Sequence, residues 1–353
     1  MGIGNVTQQG QSLWPSRGEP HRPMVQILLG PLLGLCFEKE TVTFYTGGGG
    51  TVLSDICGLL SCWLMFYVAI LFFYHIFAPL SRAYHAWKYP NAPTSRVAPA
   101  LVQNMIEVSR QAFPLYVTVP MLGDFFRWKG WGMTCDSIEE CGGWGPALLS
   151  CLVYFFTVEF LIFWDHYYLL HKSPMGKRMM QHAQHHVYKY ADQLNAFSGY
   201  AFAPQDGWSQ GLPLALCTLF IPVPLAFVYL LEVLTGFWTL YIHTDTTPLP
   251  WPFMGCDYHY IHHKYNWYNF GFMTLLFDTL FGTVKHPTPD ALGLSHGRLP
   301  MSIAELEKSA ALTRDILKQR SSGPAAMAML DADAAAGGWS GARDEAADGK
   351  KQD

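Results

Sequence analysis

The chain has 353 residues, of which 50% are hydrophobic, 15% aromatic and only 14% charged, with a formal net charge of -4. So little charge is too little for the surface of a soluble protein of this length, and the slightly acidic balance excludes the basic footprint of a nucleic-acid binder. Eight cysteines with no CxxC pair among them exclude a zinc ribbon and a disulfide scaffold.

Residues 1–50 form an N-terminal segment with no compact apolar core ahead of a small-residue cleavage site, so no cleaved signal peptide is expected. Asn5-Val6-Thr7 is a glycosylation acceptor pattern. The first apolar block runs from about Ile56 to Leu80 and ends where Arg82, Lys88 and Arg96 begin, which predicts a membrane-spanning helix. A second, weaker block from about Ala112 to Phe126 is interrupted by Pro114 and Pro120, and a third from Pro146 to Trp164 is unbroken. Arg82, Lys88, Arg96 and Arg110 lie between the first two blocks, whereas the next loop carries Asp136, Glu139 and Glu140. The positive-inside tendency therefore puts the basic loop in the cytosol and the acidic loop in the lumen, where Cys135 and Cys141 can bridge.

A fourth stretch, Leu212 to Tyr241, carries Pro222 and Pro224 in its middle. It is expected to fold as two short helices that return to their own side, because a single crossing would divide the histidines described below between the two faces of the membrane. Ser302 and Glu305 form a capping-box pattern ahead of a helix to about Gln319, and the Ala-, Gly- and Asp-rich tail beyond Ser321 is expected to be disordered. Lys350-Lys351 near the end resembles a dilysine retrieval signal. The expected fold is thus an all-α, multi-pass transmembrane helical bundle of about four spans with a cytosolic, histidine-rich di-metal cap. Residues 51–145 hold the first two spans, 146–300 the histidine-box domain, and 301–353 the C-terminal helix and tail.

Nine of the 14 histidines fall into four groups: His166 and His171; His182, His185 and His186; His243; and His259, His262 and His263. In both HxxHH groups the i, i+3, i+4 spacing is expected to stack three imidazoles on one helix face around a common centre. His166 and His171 stand about 140° apart on an ideal helix, so they converge only if the helix ends or bulges between them. Imidazoles clustered at the ends of apolar spans repel if protonated and are costly if left unpaired, and a bound cation resolves both problems. One ion takes four to six ligands, so nine histidines imply two ions. Imidazole alone does not choose among zinc, copper, iron and nickel, but the absence of HExxH argues against a zinc peptidase. Two redox-active irons that activate O2 beside a lipid-facing surface fit the setting best. His21, His75, His85, His286 and His296 are expected to be ordinary packing or surface residues.

From about Glu159 to Pro287 these ordered boxes resemble the fatty acid hydroxylase and sterol desaturase superfamily of non-haem di-iron membrane oxidases. His166 and His171 match the first box, His182-Ala183-Gln184-His185-His186 the second, and His259-Tyr260-Ile261-His262-His263 the last. The intervening residues look most like the sterol C-5 desaturases: Ala201 to Gly207, Trp238 to His243, Trp251 to Gly255, Asn269-Phe270-Gly271, Thr274, Asp278 and Phe281-Gly282-Thr283. The resemblance implies a double bond introduced between carbons 5 and 6 of a sterol ring in the endoplasmic reticulum membrane. It also implies two Fe ions, O2 as co-substrate and reducing equivalents from NAD(P)H through cytochrome b5. The first box has four intervening residues where those desaturases have three, Ala203 stands where they carry histidine, and Thr247 stands where plant-type members carry a second histidine. A sterol methyl oxidase or a sterol or fatty-acyl hydroxylase is therefore the alternative.

Asp165, Asp245 and Asp278 are candidates to orient ligand imidazoles. Trp208, Trp238, Tyr241 and Trp267 are candidates to line a flat apolar pocket, and Lys172, Lys177, Arg178 and Lys189 to form a basic patch for an acidic electron donor.

Overall fold

The computed structural model describes residues 21–244, 249–287 and 301–321. The glycosylation pattern, Asp245, Thr247, His296, the tail and the dilysine lie outside the described residues. Among those described, the protein is all helical: α1 (Met24–Leu28), α2 (Gly30–Leu33), α3 (Lys39–Tyr45), α4 (Val52–Lys88), α5 (Pro99–Tyr116), α6 (Thr118–Trp128), α7 (Trp144–Trp164), α8 (Pro174–Met180), α9 (Pro204–Cys217), α10 (Leu225–Ile242), α11 (Cys256–Tyr265), α12 (Leu276–Phe281) and α13 (Ile303–Ser321).

Three helical stretches are long and apolar enough to cross a membrane: Val52–Lys88, Trp144–Leu170 and Leu225–Ile242. On α4 the side chains of Leu60, Leu64, Val68 and Phe72 recur at four-residue spacing and are exposed, an apolar stripe that suits lipid rather than water. At 37 residues α4 is about 55 Å long, well beyond a hydrocarbon core of about 30 Å, so its basic end with Arg82 and Lys88 projects past it.

The expected second span is instead a broken pass. α5 runs through Pro114 to Tyr116, and α6 restarts at Thr118 after a break at Val117. Pro120 explains the position of the break, since its ring conflicts with the carbonyl four residues back, at Tyr116, and it donates no hydrogen bond to it.

The fourth stretch is the expected pair of helices, joined through residues 218–224. The first turn of α9 holds Asp206, which touches His182, and α10 ends beside His243, which touches His185. The excursion therefore begins and ends at the histidines. Its turn meets the Cys135 loop at the opposite end of the bundle, where Met133 N–H donates to the Thr218 carbonyl and Leu225 N–H to the Cys135 carbonyl. Cys135 and Cys141 are joined by a disulfide there.

The core between these helices is aromatic. Tyr74 of α4 stands edge-on to Phe113, Phe197 and Tyr200, with its hydroxyl donating to Ser109 at 3.0 Å. The short turn Ala196–Tyr200 is buried at every residue and wedges between α5 and α10. At the C-terminus Ser302 and Glu305 cap α13 reciprocally, as the spacing predicts, and Lys264 pairs with Glu305 at 3.2 Å, tying α13 to α11.

Candidate metal centre

Each histidine group occupies the histidine end of the bundle for a local reason. α7 ends in a π-helical turn, Asp165–Leu170, whose i→i+5 bonding brings residues five apart back over one another. The His166 and His171 rings consequently lie 5.1 Å apart, which an ideal helix would not allow. His259, His262 and His263 sit on α11. His182, His185 and His186 do not sit on an α-helix. A left-handed Gln181 ends α8, and a single 3-10 turn follows over His182–Gln184.

The nine side chains form two groups of ligand atoms: His166, His171, His182, His186 and His262 in one, and His185, His243, His259 and His263 in the other. The expectation that each HxxHH box serves one centre is thus corrected. In both boxes the i and i+4 rings share a centre and the i+3 ring crosses to the other. On α11, i+4 lies about 40° from i on one side and i+3 about 60° away on the other, so His259, His262 and His263 do not aim at one point; in the second box the 3-10 turn after Gln181 gives the same division. The groups abut, with the His186 and His263 ring centroids 4.6 Å apart.

Within the first group the Nε2 atoms of His166 and His182 are 3.1 Å apart, those of His182 and His186 2.9 Å, and those of His186 and His262 3.1 Å. In the second, His243 Nε2 lies 3.1 Å from His185, 3.0 Å from His259 and 3.2 Å from His263. Hydrogen bonding cannot account for all of these approaches. The opposite nitrogen, Nδ1, of His166 faces the Phe270 carbonyl at 2.9 Å, and that of His182 faces Asp206 at 2.8 Å. Nδ1 of His243 faces the Thr239 carbonyl at 2.7 Å, and that of His262 the Tyr268 carbonyl at 2.8 Å. An oxygen acceptor at Nδ1 fixes the proton there in the neutral ring, which leaves Nε2 a bare lone pair. His166 and His182 then oppose two lone pairs at 3.1 Å, an arrangement that a shared cation stabilises and its absence does not.

Burial disfavours the charged form in seven of these rings. It pushes His171, His185, His186, His259, His262 and His263 well below the ordinary histidine range, with neighbouring histidines adding to the effect. Burial lowers His243 to about 4, partly opposed by its bond to the Thr239 carbonyl. His171 Nε2 is buried without a hydrogen-bond partner. The spacing bears on the kind of ion. With metal–nitrogen bonds of about 2.1 Å, ligands at right angles are about 3.0 Å apart and tetrahedral ones about 3.4 Å. Contacts of 2.9–3.2 Å lie nearer the right-angled spacing than the tetrahedral one.

Of the carboxylates singled out in the sequence, Asp165 accepts from the Ser209 hydroxyl at 3.1 Å and bonds no imidazole. Asp278 acts one step removed. It accepts the Phe270 and Gly271 N–H groups at 2.8 and 2.6 Å and the Thr283 hydroxyl at 2.6 Å, fixing the segment whose carbonyl holds His166. Burial raises its carboxyl to about 6. The carboxylate that does touch a ligand ring is Asp206, fully buried in the first turn of α9 and also bonded to Gln210 at 2.8 Å. Sequence reasoning missed it, although an aspartate just after Pro204 at a helix start was a visible signal. Glu159, equally unforeseen, accepts the Met273 and Thr274 N–H groups and braces the same loop.

The four aromatics have different immediate neighbours. Trp238 and Tyr241 pack together beside Met254 and Leu275, Trp208 donates to Thr118 on α6, and Trp267 lies beneath the Lys172 ammonium. The remaining described histidines have ordinary partners: His85 pairs with Thr94, His75 with Arg110, His286 with Tyr258 and His21 with Asp136.

The fatty acid hydroxylase family model matches residues 151–283, a range that holds all nine histidines. A Delta(7)-sterol-C5(6)-desaturase of Nicotiana tabacum is 33% identical over 242 residues, 69% of this chain and 82% of the relative. A putative Delta(7)-sterol-C5(6)-desaturase 2 of Arabidopsis thaliana is 31% identical over 67% of this chain and 78% of its own length. A lathosterol oxidase of Mus musculus is 30% identical over 49% of this chain and 58% of its own. No solved structure matches the chain.

Proposed function

The chain belongs to the fatty acid hydroxylase family, and from that premise we propose that it is a membrane oxidase that introduces the carbon 5–6 double bond of a sterol ring, with O2 as oxidant and electrons from cytochrome b5. The observation that carries the reading is the opposed pair of fixed-tautomer lone pairs, His166 and His182, inside a five-histidine group that abuts a four-histidine group. In this reading His166, His171, His182, His186 and His262 hold one iron and His185, His243, His259 and His263 the other. Iron bound there supplies the oxidising power, drawn from O2, to remove hydrogen from an unactivated carbon.

The protein's own part is to orient and to exclude. Asp206 and the carbonyls of Phe270, Thr239 and Tyr268 hold four rings in the tautomer that offers Nε2. Burial keeps bulk water away from the rings, so that hydrogen is taken from the substrate and not from solvent. The apolar helices bring a lipid substrate to the centre from within the membrane. The disulfide at the opposite end suits an oxidising lumen, with the histidines on the cytosolic side of the endoplasmic reticulum, where a cytosolic electron carrier reaches them.

The test is expression in yeast lacking its own sterol C-5 desaturase, followed by mass spectrometry of extracted sterols. The expected outcome is the 5,7-diene sterol, absent when His262→Ala is expressed to the same level in the same membrane. Good expression with no diene, and an added oxygen on a sterol or acyl chain instead, would replace desaturation with hydroxylation.

A further inference from the structure

The basic residues around the histidine end are not spread evenly. Lys172, the residue after His171, places its ammonium 5.3 Å from the Trp267 ring and 5.1 Å from Tyr167. Lys285 lies 5.0 Å from both the Tyr265 and Tyr268 rings. Among the described residues, the ion pairs leave neither lysine a carboxylate, whereas Lys264 nearby is paired with Glu305. Trp267-Tyr268-Asn269 runs between the two lysines and is anchored from below. Asn269 donates to the Tyr258 and Lys285 carbonyls, and the Tyr268 carbonyl accepts from His262 Nδ1 at 2.8 Å. A cationic, aromatic, partly exposed face is thus joined to a ring of the five-histidine group by one peptide unit and one hydrogen bond.

We propose that this face, Lys172, Trp267, Tyr268 and Lys285, is the docking and electron-entry surface for an acidic one-electron carrier protein, with electrons passing through the Tyr268 carbonyl to His262. The assignment rests on the desaturase reading, which fixes the stoichiometry. The substrate gives up two hydrogens, that is two electrons and two protons, and O2 takes four electrons and four protons to become two waters. Two electrons therefore come from the carrier, one at a time, and two protons from solvent. Charge complementarity selects the partner. Lysines held over aromatic rings attract carboxylates, and the flat rings between them let a cofactor edge approach. Of the basic residues named from sequence, Lys172 belongs to this face, while Lys285 completes it from a segment more than a hundred residues away.

The full chain in lipid nanodiscs, with the soluble domain of cytochrome b5 as probe, tests the proposal. K172E/K285E is expected to weaken binding at low ionic strength by about ten-fold or more, to remove most of its salt dependence, and to leave metal content unchanged. Lys39→Glu, at the opposite end of the bundle, is expected to leave binding as it is. Trp267→Leu is expected to bind the carrier yet accept electrons more slowly in stopped-flow mixing. If the double reversal lowers metal content, Lys172→Ala and Lys285→Ala carry the same comparison. Unchanged binding in the lysine variants overturns the proposal. So does a loss seen only in nanodiscs containing phosphatidylserine, which would make the face a membrane contact. A salt-sensitive complex that the double reversal abolishes, in a protein that makes no diene sterol, would retain the docking face and reject only the sterol reading. Diene formation with binding indifferent to both lysines would do the reverse.

Discussion

Asp206 offers the sharpest test of how the proposed metal centre is held. Its carboxylate lies 2.8 Å from His182 Nδ1 and is fully buried, so the bond is charge-assisted and unscreened by solvent. Such bonds contribute about 1.5–3 kcal/mol, against about 1 kcal/mol for a neutral pair. Asp206→Asn preserves the shape and an acceptor oxygen but removes the charge, a loss of about 1 kcal/mol, or roughly five-fold in metal affinity. Asp206→Ala removes the acceptor altogether and frees His182 to turn or change tautomer. The expected loss is then about 2–3 kcal/mol, near the upper end of the 10–100-fold measured for partners of this kind. The assay is chelator competition on purified protein, with bound metal read by plasma mass spectrometry. Asp165→Asn is the comparison, because that carboxylate meets only the Ser209 hydroxyl and should change affinity by less than about two-fold. Asp206→Ala holding metal as tightly as the parent protein would refute the reasoning, and so would Asp165→Asn losing as much.

Three further outcomes follow from the same structure. A methyl group at Gly199 would meet the Thr239 carbonyl at 2.7 Å and His243 Nδ1 at 3.2 Å, so Gly199→Ala should cost about 1–3 kcal/mol in thermal unfolding and weaken the four-histidine group; an unshifted melting curve would count against the tight packing. The metal-free protein should lose stability as pH falls from about 6.5 to 4. The unfolded chain protonates His243 at its ordinary value of 6.5 while the folded protein resists until about 4, so this contribution is complete above 6.5 and gone below 4, and His171, His185, His186, His259, His262 and His263 shift in the same direction. A thermal midpoint flat across that window would contradict it. Finally, maleimide–polyethylene glycol labelling of denatured protein should add two adducts after reduction, lost together in Cys135→Ser; equal labelling with and without reductant would exclude the disulfide.

The sequence by itself determined the kind of protein and the residues of its candidate metal centre. Apolar block length predicted the helices from Ile56 and from Pro146, spacings of three to five residues picked out eight of the nine histidines, and the offset of His166 from His171 required the helix to end or bulge, which the π-helical turn supplies. These are local properties, governed by residues within one or two turns of one another, and a sequence displays them directly. Tertiary structure decided the rest. The histidines are divided five and four across box boundaries because the i+3 ring points away from its i and i+4 neighbours, and only the packing of α7, α10 and α11 determines what it then meets. Asp206 displaced Asp165 as the partner of a ligand ring because the turn ahead of α9 brings residue 206 back to residue 182. Lys285 and Lys172 share a face because Trp267 and Tyr268 lie between them. Each of these contacts joins side chains far apart in the chain, and such contacts leave no period or spacing to read, since the folded backbone alone sets the distance between them.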